Sequence, residues 1–335
     1  MRANTDWFRN ARWGVFTHYL GSNENPQTPD EWNRQIDAFD VNGLAKQLAA
    51  IGAPYYFITL GQNSGHYIAP NEAYDAIVGR PGKLARRDLV SDIHAALRPL
   101  GIQLLVYLPS GAPAADQAAC AKCGWEWGFE GGWPHGWQTR TGKRLAEFQT
   151  KWEAVIREWS LRWGTNVRGW WFDGCYFADE MYRHSDAPNF ASFAAAAKAG
   201  NPDSLVAFNP GQDMAICMDE NEDYTAGEVS TQFIVPPGRF VNGGQFHVLS
   251  YLGERWAGGS PRFPIEFVAG YTKMVNSHEG VVTWDVPIEK NGRIAAPFAE
   301  QLKALRLALG GVVPRESQKA KFDQSSDDFM GQPPI

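Results

Sequence analysis

The sequence contains few cysteines for its length. There are 4 in 335 residues, whereas a disulfide framework is typical of much shorter secreted chains. Cys120 and Cys123 form one Cys-x-x-Cys pair, and no second pair follows at the spacing of a zinc-binding motif. A local disulfide and two free thiols are therefore both favoured over a structural zinc. A chain of this length can bury enough apolar surface to fold without such crosslinks.

Long apolar runs and an excess of basic charge are also missing. No run approaches the ~18 residues of a membrane-spanning helix. The chain has 31 basic and 37 acidic residues, a net charge of −6, and no basic cluster, which argues against nucleic acid and membrane surfaces as partners. Residues 1–7 lack a signal-peptide core, as in a cytoplasmic chain or in a secreted chain whose signal has been removed. The expected partner is a glycan or another neutral glycoside.

Paired metal ligands are absent from the sequence pattern as well. The 7 histidines form no His-x-Glu-x-His or His-x-x-x-His motif, so we expect neither a catalytic metal nor a cofactor. Aromatic residues, by contrast, are abundant, with 14 Trp, 11 Tyr and 19 Phe. Several tryptophans fall in a glycine-rich stretch between residues 110 and 141, where they could stack on sugar rings or simply pack the loop down.

Short apolar runs alternate with amphipathic stretches along the chain. This alternation predicts an α/β fold, a (β/α)₈ TIM-like barrel with long loops. Strands are predicted near residues 13–19, 55–60, 103–108, 167–172, 204–208, 224–229, 246–252 and 281–284. Helices are predicted near residues 41–50, 88–100, 145–163, 190–199, 265–277 and 298–309, a polar loop at 21–37, and an excursion rich in Gly, Trp and Cys at 110–141. Residues 1–313 are expected to form the catalytic barrel, and residues 314–335 a C-terminal tail that is extended or wrapped.

The residues that directly follow each apolar run are the candidates for function, because the sites of such barrels lie at the C-terminal ends of the strands. Those residues are His18, Gln62 and Asn63, Ser110, Asp173, Asn209, Glu228, and Trp284 with Asp285. Asp173 follows the predicted fourth strand and precedes Gly174, which leaves room beside the carboxylate. An Asp at this place can act in catalysis or can cap the next helix.

Hydrolysis of a glycosidic bond usually requires two carboxyl groups. A second acid must therefore come from another strand end. Glu228 is the preferred partner of Asp173, and three acids on the same stretch are rivals: Glu220, Glu222 and Asp223.

Several motifs are shared, in the same order, with one known family. They are Trp7-Phe8 followed by Trp13-Gly14-Val15-Phe16-Thr17-His18, Glu31-Trp32, Arg87-Asp88-Leu89-Val90, Trp171-Phe172-Asp173-Gly174, and Asp223-Tyr224-Thr225 with Glu228. Over residues 7–310 the chain resembles the α-L-fucosidases of glycoside hydrolase family 29. This resemblance implies a retaining exo-glycosidase that removes a terminal α-L-fucose, with Asp173 as the catalytic nucleophile and Glu228 as the acid/base.

The sequence departs from that family where the sugar would be recognised. The family has two adjacent histidines after the second strand, whereas Gln62 and Asn63 stand here, and amides donate and accept hydrogen bonds without charge. Candidate sugar-binding residues are His18, Glu31, Trp32, Gln62, Asn63, His66, Trp171, Trp256 and Trp284. The departures leave two alternatives open: a different sugar such as α-L-galactose, and a catalytically silent sugar-binding protein. A metal-dependent barrel hydrolase is a third alternative, and the lack of paired ligands argues against it.

Overall fold

The computed structural model describes residues 2–22, 27–79, 83–126 and 143–311. The predicted tail at 314–335 and the loop tryptophans Trp127, Trp133 and Trp137 lie outside these ranges. In the part of the chain that is described, no helix is both long enough and apolar enough to cross a bilayer.

Seven parallel strands form one curved sheet. They are β1 (Trp13–Thr17), β2 (Tyr55–Thr59), β3 (Gln103–Pro109), β4 (Gly169–Asp173), β5 (Leu205–Phe208), β8 (His247–Tyr251) and β9 (Val281–Asp285), and a short antiparallel hairpin joins β6 (Phe240–Val241) to β7 (Gly244–Gln245). The order in the sheet is β5-β4-β3-β2-β1-β9-β8. The strands thus follow one another around the sheet in sequence, as they do in a TIM-like barrel.

The segment 223–229 occupies the place between β5 and β8, where a sixth strand was predicted. It has no regular strand, but the Asp223 N–H donates to the Val206 carbonyl of β5 over 2.8 Å. On its other side the Val229 N–H donates to the Leu249 carbonyl of β8 over 2.9 Å. Eight positions therefore surround the axis, seven of them regular strands, and the prediction of an α/β TIM-like barrel is confirmed.

Eleven helices are described around and between the strands. They are α1 (Asp6–Ala11), α2 (Pro29–Asp37), α3 (Val41–Ile51), α4 (Glu72–Val78), α5 (Leu89–Leu97), α6 (Gln117–Cys123), α7 (Ala146–Trp163), α8 (Ala178–Met181), α9 (Phe190–Ala197), α10 (Ile265–Ser277) and α11 (Ala296–Ala308). The prediction of a loop over residues 21–37 is wrong, because α2 begins there. Thr28 and Glu31 form a capping box and Pro29 is the first helical residue, two helix-start signals that outweigh the polar composition.

Two apolar cores follow from the alternation of side chains along each strand. Phe16, Tyr107 and Trp171 belong to the core inside the barrel. Trp170 and Phe172 belong to the larger core between the strands and the helices. Asp173 stands two residues after Trp171, so it faces the barrel axis at the strand end.

The four cysteines are free and buried. Cys120 and Cys123 both lie on α6, and the Cys120 thiol donates to the Pro113 carbonyl over 3.2 Å. Burial raises the pKa of the Cys123 thiol to about 11. Of the alternatives that the sequence left open, the structure therefore shows free thiols, and they are poor nucleophiles at neutral pH.

Asp223 connects three parts of the barrel at the place where the regular strands are interrupted. One carboxylate oxygen accepts from the Ala3 N–H over 2.5 Å, and the other accepts from the Val206 N–H over 2.8 Å. The second oxygen also lies 2.7 Å from the Lys198 ammonium. The Asp223 side chain is fully buried, so these partners, and not bulk water, balance its charge.

Replacing Asp223 should destabilise the barrel strongly. Asp223→Ala is expected to lower the free energy of unfolding by about 3–5 kcal/mol, because it leaves the Lys198 ammonium without its buried counter-charge. Urea unfolding followed by tryptophan fluorescence measures the loss. Asp203→Ala removes an exposed acid just before β5 and should change stability by less than about 0.5 kcal/mol. Equal stabilities of the two variants would refute the assigned role.

Candidate active site

A pocket of about 260 Å³ opens at the C-terminal ends of the strands. It is lined by His18, Leu20, Gln62, Tyr107, Trp171, Asp173, Glu228, Leu249, Trp256 and Ala257. The volume lies just below the range of about 300–1,000 Å³ that is usual for drug-sized ligands, so it suits a ligand of the size of one sugar ring. Carboxylate, imidazole, amide and aromatic groups all reach this space.

Asp173 ends β4 and is half-buried at the pocket wall. The Asn209 amide donates to its Oδ1 over 2.9 Å and the Tyr107 hydroxyl to its Oδ2 over 2.5 Å. The Tyr176 hydroxyl donates to Oδ1 over 3.2 Å. Three donors from three different elements thus fix the orientation of this carboxylate.

Glu228 faces Asp173 from the segment that closes the barrel. The same Asn209 amide nitrogen donates to Glu228 Oε2 over 2.6 Å. Because both hydrogen bonds start from one nitrogen, with lengths of 2.9 and 2.6 Å, the two carboxylate oxygens are at most about 5.5 Å apart. One side chain therefore sets the spacing of the two acids.

The environment of Glu228 favours its protonated form. The carboxyl group is buried and lies beside the negative charge of Asp173, and these two causes, burial first, raise the pKa of Glu228 from 4.5 to about 7. The hydrogen bond from Asn209 opposes this shift. At neutral pH Glu228 is thus poised to give or to take a proton.

His18 and Trp256 form the opposite wall of the pocket. His18 Nδ1 lies 2.9 Å from Oδ1 of the fully buried Asp285, whose Oδ2 accepts from the Ala257 N–H over 2.8 Å. Since Nδ1 is engaged by the carboxylate, Nε2 is the ring nitrogen left for a ligand. The Trp256 ring contacts the His18 ring edge-on at 5.8 Å between centroids. Asp285 therefore holds both His18 and the loop that carries Trp256.

Aromatic rings form the floor of the pocket. Tyr107 and Trp171 are stacked with centroids 5.4 Å apart and an interplanar angle of 17°. The Gln62 amide donates to the Tyr107 hydroxyl over 2.7 Å, and that hydroxyl in turn donates to Asp173. A chain of hydrogen bonds thus runs from the end of β2 to the carboxylate on β4.

Six of the predicted site residues line this pocket. They are His18, Gln62, Trp171, Asp173, Glu228 and Trp256. Among the rival acids, Glu222 is fully buried and accepts from the backbone N–H groups of Phe208, Met218 and Asp219. Asp223 is committed to Lys198, and Glu220 is exposed. None of the three lines the pocket.

Two predicted tryptophans lie elsewhere. Trp284 is fully buried in the outer core, where its indole N–H donates to Thr272 of α10 over 3.1 Å. Its neighbour Asp285 has the inward orientation, because successive side chains of a strand point to opposite faces. Trp32 is also fully buried, and its indole N–H donates to the Tyr67 carbonyl over 3.0 Å. The prediction that Trp284 and Trp32 contact the sugar is therefore corrected: both side chains pack in the outer core and neither lines the pocket.

The other three predicted contacts are also not made in the pocket. The buried His66 imidazole lies between the carbonyls of Gln27 and Lys83, at 3.1 and 3.4 Å, and ties the loop down. The Asn63 side chain does not line the pocket. Glu31 accepts hydrogen bonds from the Thr28 N–H and hydroxyl and lines a neighbouring groove instead.

Tyr107, Asn209 and Tyr176 belong to the site but were not among the predicted site residues. The alternation of side chains along a strand identifies the first two. Tyr107 lies two residues after Leu105, an interior residue of β3. Asn209 lies two residues after the interior Ala207, whereas the end of its apolar run identifies it only as a polar residue at a strand end. Tyr176 belongs to the turn after β4 and follows no such rule.

The fold and the site together define a TIM-like barrel with two facing acids at the mouth. No family model matches the sequence, and no curated protein matches it. Solved structures are similar in fold. One is an endo-fucoidan hydrolase from glycoside hydrolase family 107, with a TM-score of 0.64 and 15% identity over 89% of this chain and 92% of that chain.

Two α-L-fucosidases are also similar. The enzyme AlfC from Lactobacillus casei, solved with its α-L-fucose product, gives a TM-score of 0.61 and 15% identity over 95% of this chain and 100% of that chain. Isoenzyme 1 from Paenibacillus thiaminolyticus gives a TM-score of 0.57 and 17% identity over 91% and 75%. The likeness at these identities is one of fold. It confirms the fucosidase-like fold that the motifs implied.

The buried carboxyl of Glu228 should make stability depend on pH. Its pKa of about 7 lies above the ordinary 4.5, so the folded state retains the proton longer, and wild-type stability falls relative to Glu228→Gln as pH rises from 4.5 to 7. Over that pH range the fall in wild-type stability relative to the variant should amount to about 3 kcal/mol, with no further change above pH 7. Urea unfolding at pH 4.5, 6 and 8 measures the difference. Glu220→Gln, at an exposed acid, is the control, and a Glu228→Gln difference independent of pH would contradict the expectation.

Proposed function

We propose that this protein is a retaining glycosidase that removes a terminal α-L-fucose, or a closely related sugar, from a glycan. The observation that carries the proposal is the single Asn209 amide that binds both Asp173 and Glu228. Retaining enzymes keep their carboxyl groups about 5–5.5 Å apart, whereas inverting enzymes need about 6.5–9.5 Å for a water molecule. The bridged pair supports the shorter spacing.

Each acid has the environment that its role in such a reaction requires. Asp173 would attack the anomeric carbon while the bond to the leaving oxygen breaks, and Glu228 would give its proton to that oxygen. Water, deprotonated by Glu228, would then cleave the glycosyl ester and regenerate both groups. Three hydrogen-bond donors orient Asp173 for attack, and burial keeps Glu228 partly protonated at neutral pH.

The coupling between the two acids also supports the exchange of roles. The negative charge of Asp173 is one of the causes that raise the pKa of Glu228. In a glycosyl ester Asp173 is neutral, so this cause disappears and the pKa of Glu228 falls. The same residue is thereby an acid before the ester forms and a base afterwards.

The pocket wall supports recognition of a small hexose. His18 offers Nε2 and Gln62 offers its carbonyl oxygen, while Trp256 provides an aromatic face for a sugar ring. Among similar structures, one fucosidase was solved with α-L-fucose. Because Gln62 stands where the family 29 motif has a histidine, a related sugar such as α-L-galactose is the second candidate. The complete carboxyl pair favours an enzyme over a silent sugar-binding protein.

Asp173→Asn tests the nucleophile. It should fold normally, because the amide retains an acceptor for its neighbours, but hydrolysis of an aryl α-L-fucoside should fall by roughly three orders of magnitude or more. Turnover of both proteins is measured on a panel of chromogenic glycosides that includes an α-L-galactoside. NMR of the sugar first released by the wild type gives its anomeric configuration. Retention predicts the α-anomer. If Asp173→Asn retains most of the wild-type turnover, Asp173 is not the nucleophile.

Glu228→Gln tests the acid/base through the leaving group. The loss of kcat/KM, which reports the step that forms the glycosyl ester, should be large for an alkyl fucoside and smaller for a dinitrophenyl fucoside, whose leaving group needs no proton. In the wild type, kcat/KM should fall as pH rises above about 7, the pKa of Glu228, and the variant should lack this descent. Glu220→Gln, at an exposed rival acid on the same stretch, should match the wild type. Equal losses with both leaving groups would reject the role.

A further inference from the structure

A second groove adjoins the pocket. Its volume is about 560 Å³, and its lining includes Gln27, Glu31, Gln35, Ile288 and Lys290. His18 and Leu20 line both spaces, so the pocket and the groove meet at these two side chains. None of the residues assigned to the reaction lies in the groove.

The groove begins on the side of the barrel opposite the two acids. Asp173 ends β4, and Glu228 lies on the segment between β5 and β8, so the midpoint of the pair falls at β5. In an eight-position barrel the position facing β5 is β1, which leads into His18. The groove is built from the end of β1, from α2 and from the turn after β9.

This arrangement fixes how a sugar ring would lie. Its anomeric carbon must meet the carboxylates, so its opposite edge meets His18 and points toward the groove. A substituent on that edge would lie beside the groove, whose volume is about 560 Å³. The leaving group, by contrast, departs beside Glu228, away from the groove.

We propose that the groove binds a second sugar unit, attached to the edge of the first sugar that is remote from the bond being cleaved. This proposal rests on the proposed function and extends it from terminal to internal α-L-fucosyl units. The protein would then accept a chain on both sides of the cleaved bond and act as an endo-hydrolase of fucose-rich glycans.

The lining of the groove has the chemistry of a sugar subsite. Gln27 donates to the Gln35 side chain over 2.9 Å, which orients both amides without exhausting their donors and acceptors. The Glu31 carboxylate is held at the start of α2 by Thr28. Leu20 and Ile288 supply apolar surface beside these polar groups. Glu31, one of the candidate sugar-binding residues of the sequence, would thus contact the second sugar and not the first.

Binding to the Asp173→Asn protein tests the groove without turnover. The probes are L-fucose and fuco-oligosaccharides of two to four units from partial hydrolysis of fucoidan, measured by calorimetry. The trisaccharide should bind roughly tenfold or more tightly than L-fucose. Adding Gln35→Trp, which fills the groove, should abolish that gain. Arg34→Trp places the same ring on the exposed side of α2 and should preserve it.

Equal affinities for L-fucose and the trisaccharide, no binding of either, or a gain that survives Gln35→Trp would each overturn the proposal. Should Gln35→Trp fail to fold, Lys290→Ala takes its place, with a partial loss of the gain as the expected result and no loss as the refuting one.

Wild-type digestion of reducing-end-labelled oligosaccharides should give early products shortened by two or more units. Early release of single fucose alone refutes the endo mode. Absence of any hydrolysis, with the binding gain intact, refutes the proposed function but not the second subsite.

Discussion

The amide group of Asn209 is the interaction on which the site depends. Its oxygen accepts from the Gly211 N–H over 3.2 Å, so its nitrogen must face the acids, and its two hydrogens serve Asp173 and Glu228 separately. Two carboxylates held this close, one of them buried, cannot both be ionised without a large cost. The protein meets this constraint by leaving Asp173 half-exposed among three donors and by burying Glu228, whose pKa rises to about 7.

One of these groups comes from the part of the barrel that is not a regular strand. Asp173 ends β4 and Asn209 follows the neighbouring β5, whereas Glu228 comes from a segment with isolated bridges only. Gly227, just before it, has φ +60, and a Cβ there would collide with the His247 carbonyl. Only glycine allows the chain to approach β8 so closely and then turn Glu228 toward the axis.

Strand ends could be predicted from the sequence because apolar runs are local, and this logic located Asp173, Glu228, His18 and Gln62 at the mouth. It misplaced Trp284, because the end of an apolar run does not reveal which face the last residue takes. Alternate residues of a strand share one face, so counting in steps of two from a residue of the interior core shows which strand-end residue faces the pocket. The same count identifies Tyr107 as a pocket residue. The positions of Trp32 and His66 depend on contacts between segments distant in sequence, such as the His66 ring against the Gln27 carbonyl. No local pattern encodes such contacts.

The second-strand motif shows how a departure in sequence can be absorbed by a site. Of its two amides only Gln62 reaches the pocket, and it does so by donating to Tyr107, whose hydroxyl donates to Asp173. A neutral amide thus takes part in orienting the carboxylate, while its carbonyl oxygen stays available to a sugar hydroxyl. Among the pocket-lining residues that the structure describes, His18, which is held by the buried Asp285, is the one imidazole. The change therefore alters which hydroxyl groups are recognised and leaves the geometry of the acid pair to Asn209.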